Sequence, residues 1–441
     1  MIQPTTSQQS SRLLLSVLAI LVITLTASCG RSLPTAVAPA HDRARPVAGG
    51  RGGTDIEGEV VVMLMAGADP SAIAADHQAT LLEYESDELS ASFLPAVGQT
   101  PLDLQTALSS DPRVASAEPN FWLENAETRQ QSFAFDDGSG TPEAFAEQPA
   151  ADALHLGQAH DIADGSGITV AILDSGIDRR HPLLRNAYAG GIDLVDGDDD
   201  PSDVRDGLNH DGDAFIDEGF GHGTHVAGII HLVAPGAKLL AVRVLDSDGR
   251  GSLFDIATGV RWAVAHGAKV VNLSLGSLRT SDALSDALSE AEELGVIVIA
   301  SAGNWGAETP VEFPAKSSHV AAVAAVDAQA APAGFSSFGN NVALSAPGVG
   351  VRSTFPGGGY RLWSGTSMAA PFVAGTCALL AELHPDWNLT QMTDRLGYTA
   401  SPVLGGDSDF GAGVVDAGAA LARERRRPTV GDPVTEEIRP R

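Results

Sequence analysis

Between residues 150 and 424, short, mostly apolar runs alternate with stretches whose apolar residues recur at helical spacing. The runs fall at 168–173, 238–244, 269–275, 296–302 and 320–326, and the helical stretches at 222–232, 255–266, 281–294 and 372–383. A strand that is apolar at every position is buried on both faces, which calls for a parallel sheet with helices on each side. The pattern predicts an α/β domain built on a mostly parallel sheet, with functional groups beyond the carboxyl ends of its strands.

The segment 56–124 has a different rhythm. Residues 60–64 read as a strand and 70–79 as a helix capped by Asp69. Strands follow at 79–84 and 89–94, then a helix at 102–109 and a strand at 114–118. The order β-α-β-β-α-β predicts a small ferredoxin-like α+β domain. Residues 125–149 are polar and punctuated by Gly and Pro. They read as an exposed linker, where proteolysis concentrates. Residues 30–55 read as a flexible tether rich in Pro, Ala, Gly and Arg, and 425–441, opening on three arginines, as a disordered tail.

Composition narrows the function classes. The chain has 441 residues, 44% hydrophobic and 19% charged, as a globular protein does. Its net charge of −29 argues against nucleic acid as a partner, because phosphate binding needs a basic surface. Residues 1–29 carry an apolar run at 13–25 behind Arg12, an export signal too short for an ordinary membrane span. The stretch Leu25-Thr26-Ala27-Ser28-Cys29-Gly30 resembles a bacterial lipoprotein processing site, with Thr26 where such sites usually carry Leu. Two outcomes stay open: a protein anchored to the cell envelope through lipid on Cys29, or plain cleavage near Ala27 or Ser28 and an extracellular product. Either way Cys377, in an apolar stretch, is left as an inert core thiol.

Three segments carry candidate chemistry. In the first, an apolar strand ends in Asp174-Ser175-Gly176. In the second, Gly221-His222-Gly223-Thr224-His225 opens an apolar helix, so His222 faces a cleft. His225 lies one turn on, but the Glu that a His-Glu-x-x-His zinc motif requires is absent, so His225 reads as structural. In the third, Gly365-Thr366-Ser367-Met368-Ala369-Ala370-Pro371 leads into a helix. Pro371 fits only a first turn, which places Ser367 at the helix start, where free N–H groups favour developing negative charge. Taken singly, Asp174 is a turn former and Ser367 an N-cap.

Together, in the order Asp–His–Ser, the three motifs resemble the subtilisin-like serine proteases over roughly residues 150–420. The resemblance implies a triad of Asp174, His222 and Ser367, with Asn304 as side-chain donor to the oxyanion. It implies that Ser274-Leu275-Gly276 and Gly249-Arg250-Gly251 are edges pairing with an extended peptide or protein substrate. Gly276, Gly303 and Pro314 would lie near the pocket for the residue before the scissile bond. It also implies that the 56–124 domain is a propeptide, acting as the protease's own folding aid and inhibitor; residues 113–120 look like a propeptide's closing segment.

The insert between the Asp and His motifs is acidic, with Asp196-Gly197-Asp198-Asp199-Asp200 followed by 209–218. The second stretch resembles an EF-hand loop. Calcium would be held by Asn209, Asp211, Asp213, the Phe215 carbonyl and Asp217, with Ala214 and Phe220 departing from the motif and Glu218 as a substitute ligand. The expectation is a serine endopeptidase made as an exported proenzyme with structural calcium. Its rival is a catalytically silent envelope lipoprotein that uses the fold for binding.

Overall fold

The computed structural model describes residues 54–85, 89–129, 132–306, 311–405 and 408–422. The leader with Cys29, nearly all of the tether and the 425–441 tail lie outside these residues.

The first domain follows the expected order: β1 (Asp55–Leu64), α1 (Pro70–Asp76), β2 (Thr80–Glu85), β3 (Ser90–Leu94), α2 (Pro101–Leu108) and β4 (Val114–Glu124). Its strands lie antiparallel in the order β2-β3-β1-β4, the ferredoxin-like arrangement. Asp69 caps α1 by accepting from the Ser71 N–H at 2.9 Å, and a Thr100–Asp103 capping box starts α2. The two-residue period of β1 splits its side chains between two tasks. Val60 and Val62 join Ile73, Phe93, Leu104 and Leu108 in the domain's own core. Val61 and Met63, on the opposite face, pack against Phe254 and Ala283 of the second domain.

The second domain begins with short helices, α3 (Ala126–Arg129), α4 (Pro142–Ala146), α5 (Pro149–Ala153) and α6 (Leu156–His160). Then follow β5 (Thr169–Asp174), β6 (Tyr188–Asp193), α7 (His222–Val233), β7 (Lys238–Arg243), β8 (Arg250–Ser252), α8 (Leu253–Ala265), β9 (Val270–Leu273), α9 (Asp282–Glu293), β10 (Ile297–Ser301), β11 (Ala321–Val326) and β12 (Val342–Pro347). A hairpin of β13 (Val351–Phe355) and β14 (Gly359–Trp363) precedes the long α10 (Thr366–Leu383), α11 (Leu389–Thr399) and α12 (Ala417–Leu421). Seven strands form one sheet in the order β12-β11-β10-β9-β5-β7-β6, and every pair in it is parallel. Both faces are covered: Val170 and Ile172 of β5 lie in one core with α7 and α10, Ala171 and Leu173 in the other with α8 and α9. After β5 the chain lays β6 at one edge, returns to place β7 between β6 and β5, and then crosses to build β9 to β12 on the other side, so the strand order reverses beside β5. That is where an open α/β sheet leaves a crevice.

Three expectations need correction. The linker at 125–149 is not a loose strand of chain. Phe135 exchanges backbone hydrogen bonds with Leu362, Arg352 holds the Asp137 carboxylate with two N–H groups, and Phe145 is buried. The last strand of the first domain does not stop at 118 but runs to Glu124. Pro371 is not in the first turn: α10 starts at Thr366, so the proline sits inside the helix. Its missing N–H would have bonded the Ser367 carbonyl; the Ser274 hydroxyl donates to that oxygen instead, at 3.1 Å.

Candidate active site

Asp174 is the last residue of β5, His222 the first of α7, and Ser367 the second of α10. The sheet's crevice brings all three together. His222 Nδ1 lies 2.7 Å from Asp174 Oδ1, which fixes the imidazole with Nε2 turned toward the serine. Room for that ring is made by close backbone approaches. A Cβ on Gly223 would stand 2.2 Å from the Gly176 carbonyl oxygen, and one on Gly221 2.3 Å from the Phe355 ring. Gly221, at φ 89°, also occupies the left-handed region that favours glycine. Trp363 packs edge-on against both His222 and His225. His225 is fully buried and lies 3.1 Å from the Arg361 carbonyl through Nε2; burial pulls its pKa down to about 3, so it stays neutral. That suits the structural reading.

Asn304 follows β10 and has a set orientation. Its Oδ1 accepts from both the backbone N–H and the hydroxyl of Thr366, at 2.9 and 2.8 Å, which leaves Nδ2 to point across the nucleophile. Nδ2 does not point at empty space. It donates to Oε1 of Glu127 at 2.8 Å, and the Ser367 backbone N–H approaches the same oxygen at 3.4 Å. The other oxygen, Oε2, accepts from the Ser367 hydroxyl at 2.6 Å and lies 3.3 Å from His222 Nε2. One carboxylate oxygen therefore contacts both nucleophile and imidazole. Gly365 leaves space for it, since a Cβ there would sit 1.7 Å from Oε1.

Glu127 and His222 are both fully buried, and neither behaves as an isolated buried group. Burial alone would raise the Glu127 pKa, yet the hydrogen bonding and charge of His222, with the donors on Ser367 and Asn304, hold it below the ordinary carboxylate value. Burial alone would lower the His222 pKa, yet the Asp174 and Glu127 carboxylates raise it to about 10. Two carboxylates thus flank the imidazole and favour its protonated form. His222 is thus not open to a cleft, as its flanking glycines suggested; the N-terminal domain covers it.

The cover arrives along the two expected edges. β4 pairs antiparallel with β8, matching Leu123 to Gly251 and Glu124 to Arg250. On its other side, Glu124 and Gly276 exchange backbone hydrogen bonds of 3.2 and 2.8 Å, and the Asn125 N–H donates to the Gly249 carbonyl. Ser274 supports the serine through its hydroxyl and, at 3.4 Å, its carbonyl; Leu275 is buried in the core beside it.

A strand docked between two edges, ending against a Ser–His–Asp cluster, agrees with the comparisons to known proteins. The family model of the subtilases (peptidase S8) matches residues 165–413. The chain belongs to the subtilase family of serine endopeptidases. It is 42% identical to subtilisin BL of Lederbergia lenta over 265 residues, 58% of this chain and 91% of that one. It is 40% identical to subtilisin NAT of Bacillus subtilis subsp. natto over 268 residues, 58% of this chain and 66% of that one. Among solved structures, fervidolysin of Fervidobacterium pennivorans, a keratinolytic enzyme related to subtilisin, superposes with TM-score 0.70 at 26% identity. That match covers 89% of this chain and 64% of fervidolysin. A protease of Pseudoalteromonas arctica gives TM-score 0.56 at 32% identity, over 61% of this chain and 93% of its own.

The acidic insert of this subtilase sorts into two parts. In the first, Asp196 and Asp193 flank the buried Arg243 guanidinium, each at 2.5 Å, and Asp200 pairs with Arg179. In the second, oxygens of Asp211, Asp213 and Glu218 lie within 4.8 Å of one another. The EF-hand reading placed Asp217 in this set. Its Oδ1 instead accepts from the Asp206 and Gly207 N–H groups. Asn209 Oδ1 accepts from the Gly212 N–H at 2.5 Å. Glu218 takes the place, with both carboxylate oxygens buried and without a hydrogen bond. Desolvation, together with the charges of Asp248, Asp211 and Asp213, pushes its pKa up to about 8. Of the three, Glu218 is buried, Asp211 half-buried and Asp213 exposed; carboxylates this crowded, one of them without a hydrogen bond, fit a hard cation such as calcium.

Residue-pattern reasoning missed three acidic groups. Asp203 caps the His222 helix, accepting from the Gly221 N–H and the Thr224 hydroxyl at 2.9 and 2.6 Å. Glu127 and Glu312 lie at the reaction centre and beside the substrate edges. None stands in a recognisable motif, and only the tertiary fold brings them in.

Proposed function

We propose that this chain is a serine endopeptidase made as a latent, exported proenzyme, with Asp174, His222 and Ser367 as its triad and Asn304 in its oxyanion hole. The observation that carries the reading is the convergence of two donors, Asn304 Nδ2 and the Ser367 N–H, on a single oxygen beside the serine hydroxyl. A tetrahedral oxyanion formed by attack of that hydroxyl needs donors in this arrangement. A fold used only for binding needs none, which disfavours the silent lipoprotein.

In the reaction, Ser367 Oγ attacks the substrate carbonyl and its proton passes to His222 Nε2. Asp174 holds the imidazole in the required tautomer and stabilises the imidazolium. The oxyanion forms where Glu127 Oε1 now lies. His222 returns the proton to the leaving amine, and water then hydrolyses the acyl-enzyme by the same route. The substrate strand pairs with Gly249–Gly251 and Ser274–Gly276, as β4 does here. Backbone pairing of this kind accepts many peptide sequences.

The N-terminal domain fits the role of propeptide: it is ferredoxin-like, docks through Val61 and Met63, and fills the cleft with its own last strand. The match to fervidolysin extends over far more of the chain than the protease domain alone, which supports the same reading. Calcium at Asp211, Asp213 and Glu218, and export through the leader with or without lipid on Cys29, complete the proposal. Labelling by a fluorophosphonate probe, which reacts only with an activated serine, tests the enzymatic reading. Loss of labelling in Ser367→Ala is expected, and labelling that survives this substitution refutes it.

A further inference from the structure

We infer that a calcium ion held by Asp211, Asp213 and Glu218 orders the Gly249–Gly251 edge and so tightens the binding of extended peptides there, apart from any effect on stability. The inference rests on the calcium site and the peptidase activity proposed above. The site is more than a run of acids. Glu218 is 8% exposed, both its carboxylate oxygens are buried without a hydrogen bond, and one lies within 4.8 Å of oxygens on Asp211 and Asp213. A buried carboxylate in that position calls for a cation.

The residues flanking these ligands are bonded to the substrate edge. Residues 246–250 form a closed turn. The Asp246 N–H donates to the Arg250 carbonyl at 2.8 Å, and Asp246 Oδ1 accepts from the Asp248 and Arg250 N–H groups at 3.0 and 2.9 Å. From this turn the Asp248 carboxylate takes one N–H from each arm of the cation loop. Oδ2 accepts from His210, which precedes Asp211, and Oδ1 accepts at 2.7 Å from Asp217, which precedes Glu218. Just after Glu218, the Gly219 N–H donates to the Ser247 carbonyl at 2.8 Å. A Cβ on Gly219 would stand 2.4 Å from the Gly249 nitrogen. The turn also reaches back, because Arg250 Nη1 donates to the His210 carbonyl at 2.8 Å. The same guanidinium lies over the Trp122 ring of the docked strand, 4.5 Å from its centroid.

One hydrogen-bonded unit thus faces two ligands. One end gathers carboxylates that repel one another until a cation neutralises them. The other end pairs with β4, matching Gly251 to Leu123 and Gly249 to the Asn125 N–H. A cation that fixes His210, Asp217 and Gly219 fixes Asp248, Ser247 and Gly249 with them, and the edge is then preformed for a strand. Such coupling is reciprocal: whatever pairs with the edge tightens calcium by the same factor.

The test uses the full-length chain allowed to process itself in calcium, with active sites counted by the fluorophosphonate probe. Unfolding temperatures check that chelated samples and variants are folded. Two substrates share the residue before the scissile bond; one continues far enough to pair with Gly251, and the other stops at that residue. Calcium should lower KM for the long substrate by about fivefold or more, the lower end of ordinary coupling, and leave the short one unchanged. A second measurement needs no activity: in probe-inactivated enzyme, a peptide copying residues 114–125 should lower the calcium Kd by about the same factor. Asp248→Asn should still bind calcium and lose most of both effects. If calcium changes both substrates alike, or neither, while still raising the unfolding temperature, the cation only stabilises the fold and the inference is wrong. A labelled enzyme that binds no calcium refutes the cation site. A chain that neither labels nor cleaves refutes the peptidase reading, and the inference falls with it.

Discussion

The Ser367 hydroxyl donates a 2.6 Å hydrogen bond to Glu127 rather than to His222. The nucleophile's proton is therefore held by a carboxylate, and the two donors suited to an oxyanion, Asn304 Nδ2 and the Ser367 N–H, are already taken by that carboxylate's other oxygen. In the proposed proenzyme, latency rests on a side chain at the reaction centre as well as on a strand in the cleft.

Removing that carboxylate should unlock the site. In the full-length chain, Glu127→Ala is expected to raise the rate of fluorophosphonate labelling by roughly tenfold or more, since several charge-assisted hydrogen bonds are lost together. Conversion to the mature form should quicken in parallel. Labelling at the wild-type rate would mean that strand pairing alone keeps the enzyme silent.

The two carboxylates flanking His222 make the proposed latent form sensitive to pH. His222 has a folded-state pKa raised to about 10 from an ordinary value of 6.5, so its contribution is complete below 6.5 and is lost as pH rises toward 10. The Glu127 pKa is lowered, so its contribution is present above the ordinary carboxylate value and fades on acidification. The latent form should be held best at mildly acidic pH and loosen through the alkaline range. Unfolding temperatures of Ser367→Ala, followed from pH 6 to 10, should fall more steeply than those of Ser367→Ala/Glu127→Ala. Parallel curves would show that Glu127 does not share the His222 proton.

Asn304→Ala should lower kcat by about a hundredfold to a thousandfold with little change in KM, the usual cost of an oxyanion donor. Because Oδ1 also holds the Thr366 N–H that begins α10, Asn304→Asp is a useful companion: it retains that acceptor and removes the donor. A normal kcat in both variants would place the oxyanion elsewhere.

Without a cation, Glu218 destabilises the fold as pH rises. Its folded pKa is raised to about 8, so stability present below the ordinary value of 4.5 is lost up to that point. Calcium should remove this slope and raise the unfolding temperature, and magnesium should do so less. Asp211→Ala/Asp213→Ala should abolish most of the gain. The insert leads into the His222 helix, and Gly219 packs against Gly249 of the substrate edge, so calcium should also slow self-digestion. A calcium response unchanged in the double variant would rule this loop out.

The parts of the fold legible from sequence are those governed by period and run length. Strands β5, β7, β9, β10 and β11 are dominated by apolar residues and lie within a few residues of the expected runs. β6 is Tyr-Ala-Gly-Gly-Ile-Asp and β12 ends in Ser-Ala-Pro; neither has a run long enough to stand out. The triad was legible because its three motifs are locally distinctive. Glu127 was not, being one acid in a polar stretch, and its role depends on a register set by Gly249 and Gly276 more than a hundred residues away. The same holds for Glu218 over Asp217. Loop spacing favoured Asp217, but its backbone turns at φ 57° and commits its carboxylate to Asp206 and Gly207.

Intact-protein and peptide mass spectrometry after fluorophosphonate treatment tests the central claim most directly. The account predicts a single phosphonyl adduct on Ser367, slow in the full-length chain, faster in Glu127→Ala, and absent from Ser367→Ala and His222→Ala. An adduct on another residue, or none in wild type and Glu127→Ala alike, would contradict it.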